Sequence, residues 1–260
     1  GRLSNAVDFA TVAAGLGQPA PVPSPASDGR AEVDADDWAP AFRLGLVYTP
    51  TDGTRIGIGY RSEVRHDLSG DVDFTSDGLG IGRALAAQGV FRDGGARARI
   101  TTPRSLSFGV SQDLGERVTL LGEAQWTDWS AFDRLTVQFD NPAQPADRTR
   151  HDWDDGWFVA LGLRWQVAPA WTVSSGVSYD RSPVPDGTRT PRIPDADRTW
   201  LSIGARWSPE PWISVDAGYG HLFMPESPIA VGAAGDPRGR LEARTGTEVD
   251  VLSLSARIRF

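Results

Sequence analysis

Long runs of alternating apolar and polar residues dominate this chain. Residues 157–167 show the pattern most clearly, because large apolar residues such as Trp157 and Leu161 alternate with small or polar ones such as Gly162 and Arg164. A period of two residues is typical of β-strands with two unlike faces. We therefore predict an all-β fold of about nine strands. The other alternating runs lie at about 41–49, 54–74, 97–112, 117–140, 171–179, 201–207, 213–219 and 247–260.

The connections between these runs alternate in length. Short connections lie at 49–53, 113–116, 168–170 and 208–211, and long ones rich in Gly and Pro lie at 75–96, 141–155, 181–196 and 224–246. One end of the predicted sheet therefore has tight turns and the other has long loops. Residues 1–37 contain a proline run and an acidic cluster, so we predict a further long, extracellular loop region there, with a helical turn at about 9–16.

The apolar face of these strands could pack on a second sheet, as in a soluble sandwich, or contact lipid. Three features favour lipid. Strands of ten or more residues match the length needed to cross a bilayer at a tilt, and one-sided long loops are typical of outer-membrane barrels. Aromatic residues also lie near the strand ends, as interfacial girdles do. They are Trp157, Trp165, Trp171, Tyr179, Trp207 and Trp212.

The opposite face carries too many charges for a dry core, whereas a water-filled lumen would accommodate them. Seven arginines against three carboxylates on this face would make the lumen electropositive, but ion pairs across neighbouring strands that pack the interior are the favoured explanation for most of them. We therefore predict an antiparallel transmembrane β-barrel. The residues assigned to its inner face are Arg43, Arg55, Arg61, Glu63, Glu123, Gln125, Arg164, Arg206, Asp216, Arg257 and Arg259.

Composition excludes several classes of protein. The formal net charge of -8 has the wrong sign for a nucleic-acid-binding chain. Without cysteine there is no disulfide framework and no thiolate nucleophile, and no apolar run is long enough for a transmembrane helix. The sequence contains no lysine, so every side-chain cation other than histidine is an arginine, which can hold a carboxylate through two parallel hydrogen bonds.

Four motifs stand out along the chain. The most specific runs from Asp180 through the proline-rich residues 181–196 to Arg198-Thr-Trp-Leu-Ser, and the others are Asp36-Asp-Trp, Tyr60-Arg-Ser-Glu-Val and Thr127-Asp-Trp-Ser. These motifs resemble those of the FadL-like long-chain fatty acid transporters of Gram-negative outer membranes, and they occur in that family's order along the whole chain.

This resemblance implies a barrel of fourteen antiparallel strands, plugged by an N-terminal domain, that admits hydrophobic compounds. Residues 38–260 would be its C-terminal part, with about nine strands, and we expect the plug and first strands to be absent. The alternating segment that ends at Phe260 resembles the C-terminal strand that the outer-membrane assembly machinery recognises. We expect a monomer in the outer membrane, in contact with its lipid and lipopolysaccharide.

Loop residues are candidates for substrate capture because the family's long external loops form a greasy groove. The apolar residues at 79–91 have helical spacing between Gly78 and Gly94. A short helix that only caps the barrel explains the same spacing. The candidates for contact with an acyl chain are Leu79, Ile81, Leu85, Val90 and Phe91.

Four arginines are candidates for a carboxylate head group. Arg148 and Arg150 lie where the family places a basic residue near the head group, and Arg43 and Arg61 are predicted to point into the lumen. A solvated loop charge, or packing of the lumen wall, is the competing interpretation for each. Asp197 and Arg198 are predicted to form an ion pair that fixes the 181–196 loop.

Catalysis has no support in the sequence, because the three histidines are scattered and no Gly-x-Ser-x-Gly elbow occurs. The acidic clusters lack the spacing of a calcium loop, so we expect no metal and no cofactor. The leading hypothesis is passive uptake of long-chain fatty acids or other hydrophobic compounds. The alternative is a structural barrel, or a surface receptor for phage or toxin.

Overall fold

The structure is a computed structural model that describes residues 2–232 and 241–259. Within these ranges the chain forms two antiparallel sheets, two short α-helices and two 3-10 turns. The helices are α1 (Phe9–Gly15) and α2 (Ile81–Ala87). The strands are β1 (Arg2–Asp8), β2 (Asp28–Asp36), β3 (Arg43–Thr51), β4 (Thr54–Arg61), β5 (Val64–Thr75), β6 (Gly94–Thr102), β7 (Ser105–Leu114), β8 (Val118–Thr127), β9 (Arg134–Phe139), β10 (Asp147–Arg150), β11 (Gly156–Ala168), β12 (Trp171–Arg181), β13 (Arg198–Glu210), β14 (Ile213–Val231) and β15 (Leu241–Ile258).

The larger sheet has nine strands in the order β15-β14-β13-β12-β11-β8-β7-β4-β3. Each strand is hydrogen-bonded to the strand of this sheet that comes before it in the sequence, so the sheet is an antiparallel meander. The prediction of an all-β fold is confirmed, but the described residues form fifteen strands instead of about nine, because six further strands form a second sheet. Tight turns also join β3 to β4, β7 to β8, β11 to β12 and β13 to β14, as predicted.

One face of the nine-stranded sheet is apolar and exposed along its whole width. Leu161 is 68% exposed and Leu254 is 79% exposed, although both lie within strands. An apolar face of this extent is stable only against an apolar solvent or a partner. Among the described residues no helix is long and apolar enough to cross a membrane. The other exposed residues of this face include Leu44, Leu46, Ile58, Leu106, Phe108, Val159, Val177, Leu201, Ile203 and Leu252.

Aromatic residues border this apolar face at both ends. Trp157 pairs with Trp126 at the long-loop end, and Trp171 pairs with Trp207 at the turn end, where their rings lie 6.3 Å apart. Along β11, Trp157 and Trp165 are about 27 Å apart at the usual rise per residue. Since an apolar band about 25 Å tall between two aromatic girdles is typical of an outer-membrane barrel, the exposed face has the dimensions of a lipid-facing wall.

The opposite face is polar and lined by small residues. Cross-strand pairing aligns Ser107 with Gln125 and Gln125 with Phe158, and it places Arg206 opposite Asp216. Arg206 Nε donates to Asp216 Oδ1 at 2.6 Å, so at least one of the predicted inner-face ion pairs is present. This register puts the predicted lumen arginines of the strands on one face.

A second sheet extends the first, with six strands in the order β1-β2-β5-β6-β9-β10. The runs 54–74, 97–112 and 117–140, each predicted as one strand, are in fact broken, and each continues from one sheet into the other. Pro103 marks one break because proline has no N–H for the ladder. This sheet has its own apolar core, formed by Val72, Ala96 and Val137.

Residues 2–36 are not one long irregular loop, although residues 16–24 form neither helix nor strand. The region contains β1, α1 and β2, and α1 lies near the predicted helical turn. Close packing here requires glycine at Gly70, where a Cβ atom would lie 1.9 Å from the carbonyl oxygen of Asp34. That this region is extracellular stays a prediction.

If the exposed apolar face contacts lipid, a charge added to that face of β11 should lower the stability of the protein more than a charge added to the polar face. Leu161→Arg would place a cation midway between the two aromatic girdles, where it costs about 2–4 kcal/mol in the free energy of unfolding. Ala160→Arg would point to the polar face, opposite Glu123, and should cost little. Denaturant unfolding in lipid vesicles, followed by electrophoretic mobility, measures both. Equal destabilisation by the two variants would contradict the assignment of faces.

Candidate functional site

A cavity of about 940 Å³ lies on the polar face of the nine-stranded sheet, at the long-loop end. Its floor comes from neighbouring strands, because Phe158 pairs with Asp180, and Asp180 pairs with Arg198. The connections before β7, after β8, before β11 and after β12 supply the remaining walls. The cavity thus lies where the wall meets the loops.

One side of the cavity is aromatic. Trp129 and Trp153 meet edge to face with ring centroids 5.2 Å apart, and Phe132 lies 4.9 Å from Trp153. Phe158 adds a further ring from β11. The remaining apolar lining residues are Trp157, Val184, Ile193 and Met224, with Pro103, Pro183 and Pro194. Such walls suit a hydrophobic ligand.

Asp155 and His151 hold the aromatic cluster in place. The Asp155 carboxylate accepts hydrogen bonds from Trp126 Nε1 at 3.0 Å and from the Ser130 backbone N–H at 3.3 Å. His151 packs 5.4 Å from Trp153, and its Nδ1 atom is buried without a hydrogen-bond partner. Because burial lowers the pKa of His151, the imidazole is neutral at pH 7 and acts as another aromatic ring.

Arg189 ties the proline-rich connection between β12 and β13 to the end of β14. Its guanidinium is almost fully buried and donates to the carbonyl oxygens of Val184, Asp195 and Pro228, and to Asp186 Oδ1 at 2.6 Å. Residues of this connection, including Val184 and Asp195, line the cavity. Arg189 therefore fixes one wall of the site without lining it.

Asp197 and Arg198 also anchor this connection, but not to each other. Arg198 pairs with Asp180 at 2.8 Å and with Asp195 at 3.2 Å. Asp197 accepts hydrogen bonds from the Tyr179 hydroxyl and from the Ser182 N–H. The predicted Asp197–Arg198 pair is wrong because successive residues at a strand start point to opposite faces.

The cavity has more unpaired cations than unpaired anions. Among the described residues, Arg61, Arg181 and Arg192 have no ion pair, whereas Glu123 is the single lining carboxylate without one. Arg198 pairs with both of the other lining carboxylates, Asp180 and Asp195, so the four lining arginines exceed the three lining carboxylates by one charge. A positive surplus beside apolar walls favours an anionic amphiphile over a cation.

The four predicted head-group arginines lie in three places. Arg61 lines the cavity, and Arg43 lies directly opposite it on the edge strand β3. Arg148 lines a separate concavity of about 720 Å³ on the second sheet. Arg150 donates to Asp152 at 2.6 Å and is exposed. The structure brings together only Arg43 and Arg61.

The predicted acyl-contact residues surround α2. Leu85 is fully buried, and Phe91 packs edge to face between Phe9 and Phe74, with ring centroids 5.2 Å and 5.4 Å away. Leu79 is more than half exposed, while Ile81, Val90 and Phe91 are partly buried. The helix predicted here is present, and Leu85 packs within the protein. A role for these residues in ligand contact stays a prediction.

Asp77 explains why α2 begins where it does. Its buried carboxylate accepts hydrogen bonds from the backbone N–H groups of Leu79, Ile81 and Gly82. Burial would raise the pKa of Asp77, but these hydrogen bonds and one from Ser76 outweigh it and lower the pKa. The carboxylate is therefore ionised at neutral pH and stabilises the helix start.

Several residues that line or support the cavity were not predicted as site residues. Trp129 lies inside the Thr127-Asp-Trp-Ser motif that carries part of the resemblance, so the motif could have identified it. Trp153, Phe158 and Arg189 lack such a signal. In the described ranges no group of three or more histidine and acidic side chains is arranged to hold a metal ion.

An exposed apolar band between aromatic girdles, with a polar face behind it, defines the wall of a membrane-spanning β-barrel. Residues 1–260 match the family described as outer membrane protein transport protein (OMPP1/FadL/TodX), so the chain belongs to this family. This is a family of transporters and channels, and it places the protein in the Gram-negative outer membrane.

Individual relatives agree with this assignment. The chain is 29% identical over 249 residues to an outer membrane protein of Neisseria meningitidis, which covers 90% of this chain and 53% of that protein. It is 27% identical over 198 residues to the long-chain fatty acid transport protein of Escherichia coli, covering 74% of this chain and 44% of that one. The chain thus spans about half the length of the curated relatives it matches.

A solved structure shows the same fold. The crystal structure of a Pseudomonas aeruginosa FadL homologue superposes with a TM-score of 0.82 and 30% identity, covering 99% of this chain and 61% of that chain. The two sheets described above therefore form part of a FadL-type barrel.

The hydrogen bonds of Arg189 lead us to predict that the cavity wall depends on this one buried guanidinium. In Arg189→Met the carbonyl oxygens of Val184, Asp195 and Pro228 lose their donor, so residues 182–197 should loosen and become sensitive to limited proteolysis. Arg192→Met is the matched control, because Arg192 belongs to the same connection but is exposed. Cleavage at the same rate in both variants would contradict the anchoring role of Arg189.

Proposed function

We propose that this protein mediates passive uptake of hydrophobic compounds across the outer membrane, with long-chain carboxylates among them. The observation that carries the proposal is the cavity on the water-facing side of the wall, which combines aromatic walls with unpaired arginines. Membership of a transporter family supports it, and so does the printed name of the Escherichia coli relative.

The driving force would be the concentration gradient, together with transfer of the chain from water to apolar surface. Each buried CH₂ group contributes about 0.8 kcal/mol. A cavity of about 940 Å³ is large enough for an acyl chain of ordinary length. No covalent step is needed, so the wall residues only bind and release the ligand.

The full barrel is proposed to contain fourteen strands, of which this chain would supply the last nine. The two edges of the described sheet, β3 and β15, each pair on one side only. Because unpaired backbone groups are costly in hydrocarbon, these edges need partners in the membrane. The longer relatives are consistent with additional strands, and the family resemblance adds an N-terminal plug.

The outer loops would make the first contact with substrate. Leu79 is exposed beside α2 and remains a candidate for capturing acyl chains, together with Ile81, Val90 and Phe91 around it. Arg148 and Arg150, both exposed, would guide anionic head groups at this stage. Contact with lipopolysaccharide and a monomeric state are further parts of the proposal. Recognition by the assembly machinery through Phe260 concerns a residue that lies outside the described ranges.

The proposed function predicts a specific loss when the aromatic wall is cut back. Phe158→Ala should weaken binding of oleate to the purified protein about tenfold, because the chain loses apolar contact, and should slow uptake of labelled oleate by cells. Phe108→Ala removes the same side chain from the lipid-facing side of β7 and should change neither.

Two results would contradict this proposal. Unchanged oleate binding and uptake in Phe158→Ala would mean that the cavity is not on the substrate path. An absence of uptake by the unaltered protein, with loops that still bind phage or toxin, would instead favour the receptor hypothesis.

A further inference from the structure

Arg43 and Arg61 lie directly opposite each other on paired strands. They are cross-strand partners of β3 and β4, on the polar face of the wall. Like charges in this position destabilise a sheet. Among the described residues neither guanidinium forms an ion pair, although the chain has 34 Asp and Glu residues from which partners could come. Within the described ranges the pair therefore has no counter-charge.

The register continues this pair into a row of hydrogen-bond donors. Arg61 pairs with Ser105 of β7, and Ser105 pairs with Thr127 of β8. The Thr127 hydroxyl accepts a hydrogen bond from Gln125 Nε2 at 3.3 Å, so its proton is free to donate. Arg61, Ser105 and Thr127 all line the cavity. Four neighbouring strands therefore present donors at one level of the wall.

Nearby carboxylates do not neutralise this row. Glu63, the acid closest in sequence to Arg61, pairs with Arg65 at 2.8 Å. Glu123 lies on the same face of β8 as Thr127, but four residues before it along the strand. The lining carboxylates Asp180 and Asp195 are held by Arg198.

The aromatic wall begins two residues along the strands from the donor row, on the side away from the long loops. Gln125, two residues before Thr127 on β8, pairs with Phe158 of β11. An amphiphile with its head group on the row would therefore place the start of its chain against Phe158. The order of polar and apolar groups along the wall matches the order within a fatty acid.

We propose that Arg43 and Arg61, with the hydroxyl groups of Ser105 and Thr127, bind the carboxylate head group of an amphiphile at the outer end of the lumen wall. This inference rests on the proposed uptake function and specifies its head-group site. Two guanidinium groups satisfy both carboxylate oxygens through charge-assisted hydrogen bonds. The bound anion also removes the repulsion between the two arginines.

The test compares oleate with oleyl alcohol, which has the same chain length and no charge. Binding of both is measured by displacement of a lipophilic fluorescent probe from the purified protein in non-ionic detergent. Arg43→Gln and Arg61→Gln should each weaken oleate binding about tenfold, which corresponds to about 1.4 kcal/mol, and leave oleyl alcohol binding unchanged. High salt should weaken oleate binding to the unaltered protein and have less effect in the variants.

Arg55→Gln is the matched control, because Arg55 also lies on β4 and on the same face, six residues from Arg61. It should alter the binding of neither ligand. Oleate binding that is unchanged in Arg43→Gln and Arg61→Gln would overturn the head-group assignment, and so would an equal loss for both ligands. In either case the uptake proposal would stand if the unaltered protein binds both ligands. Failure of the unaltered protein to bind either ligand would overturn both proposals.

Discussion

The structure depends on the hydrogen-bonded ladder of the nine-stranded sheet. Hydrocarbon offers no partner to a backbone N–H or C=O, so a chain that crosses it by strands must pair each strand with its neighbours. Once the ladder is formed, successive side chains along each strand point to opposite faces of the sheet, so the apolar and polar residues are separated. Residues such as Leu161 and Leu254 can therefore be exposed to lipid while Arg61 and Arg206 face water.

The two ends of the wall serve different purposes. At one end the strands close in tight turns beside Trp171 and Trp207. At the other end three strand pairs continue into a second sheet, and long connections fold back over the polar face. The cavity arises there because Arg189 and Arg198 hold the proline-rich connection in place. The nine-stranded sheet and the proline-rich connection held over it together form a binding site that neither could form alone.

Much of the fold was predictable from the sequence, because strand period, turn position and aromatic ends are local signals. The second sheet was not, since Val72, Ala96 and Val137 alternate just as lipid-facing residues do, and only tertiary contact separates a soluble core from lipid. Arg61 was predicted from its face. The burial of Arg189 could not be, because one of its acceptors, Pro228, lies 39 residues away.

The chain contains no cysteine, so single cysteines can test the central claim directly. Cysteines placed one at a time from 158 to 164 on β11, in lipid vesicles, would be treated with a membrane-impermeant thiol reagent. The account predicts modification at 158, 160, 162 and 164 and protection at 159, 161 and 163. Uniform protection, or modification of the odd-numbered positions, would contradict a wall with lipid on one face and water on the other.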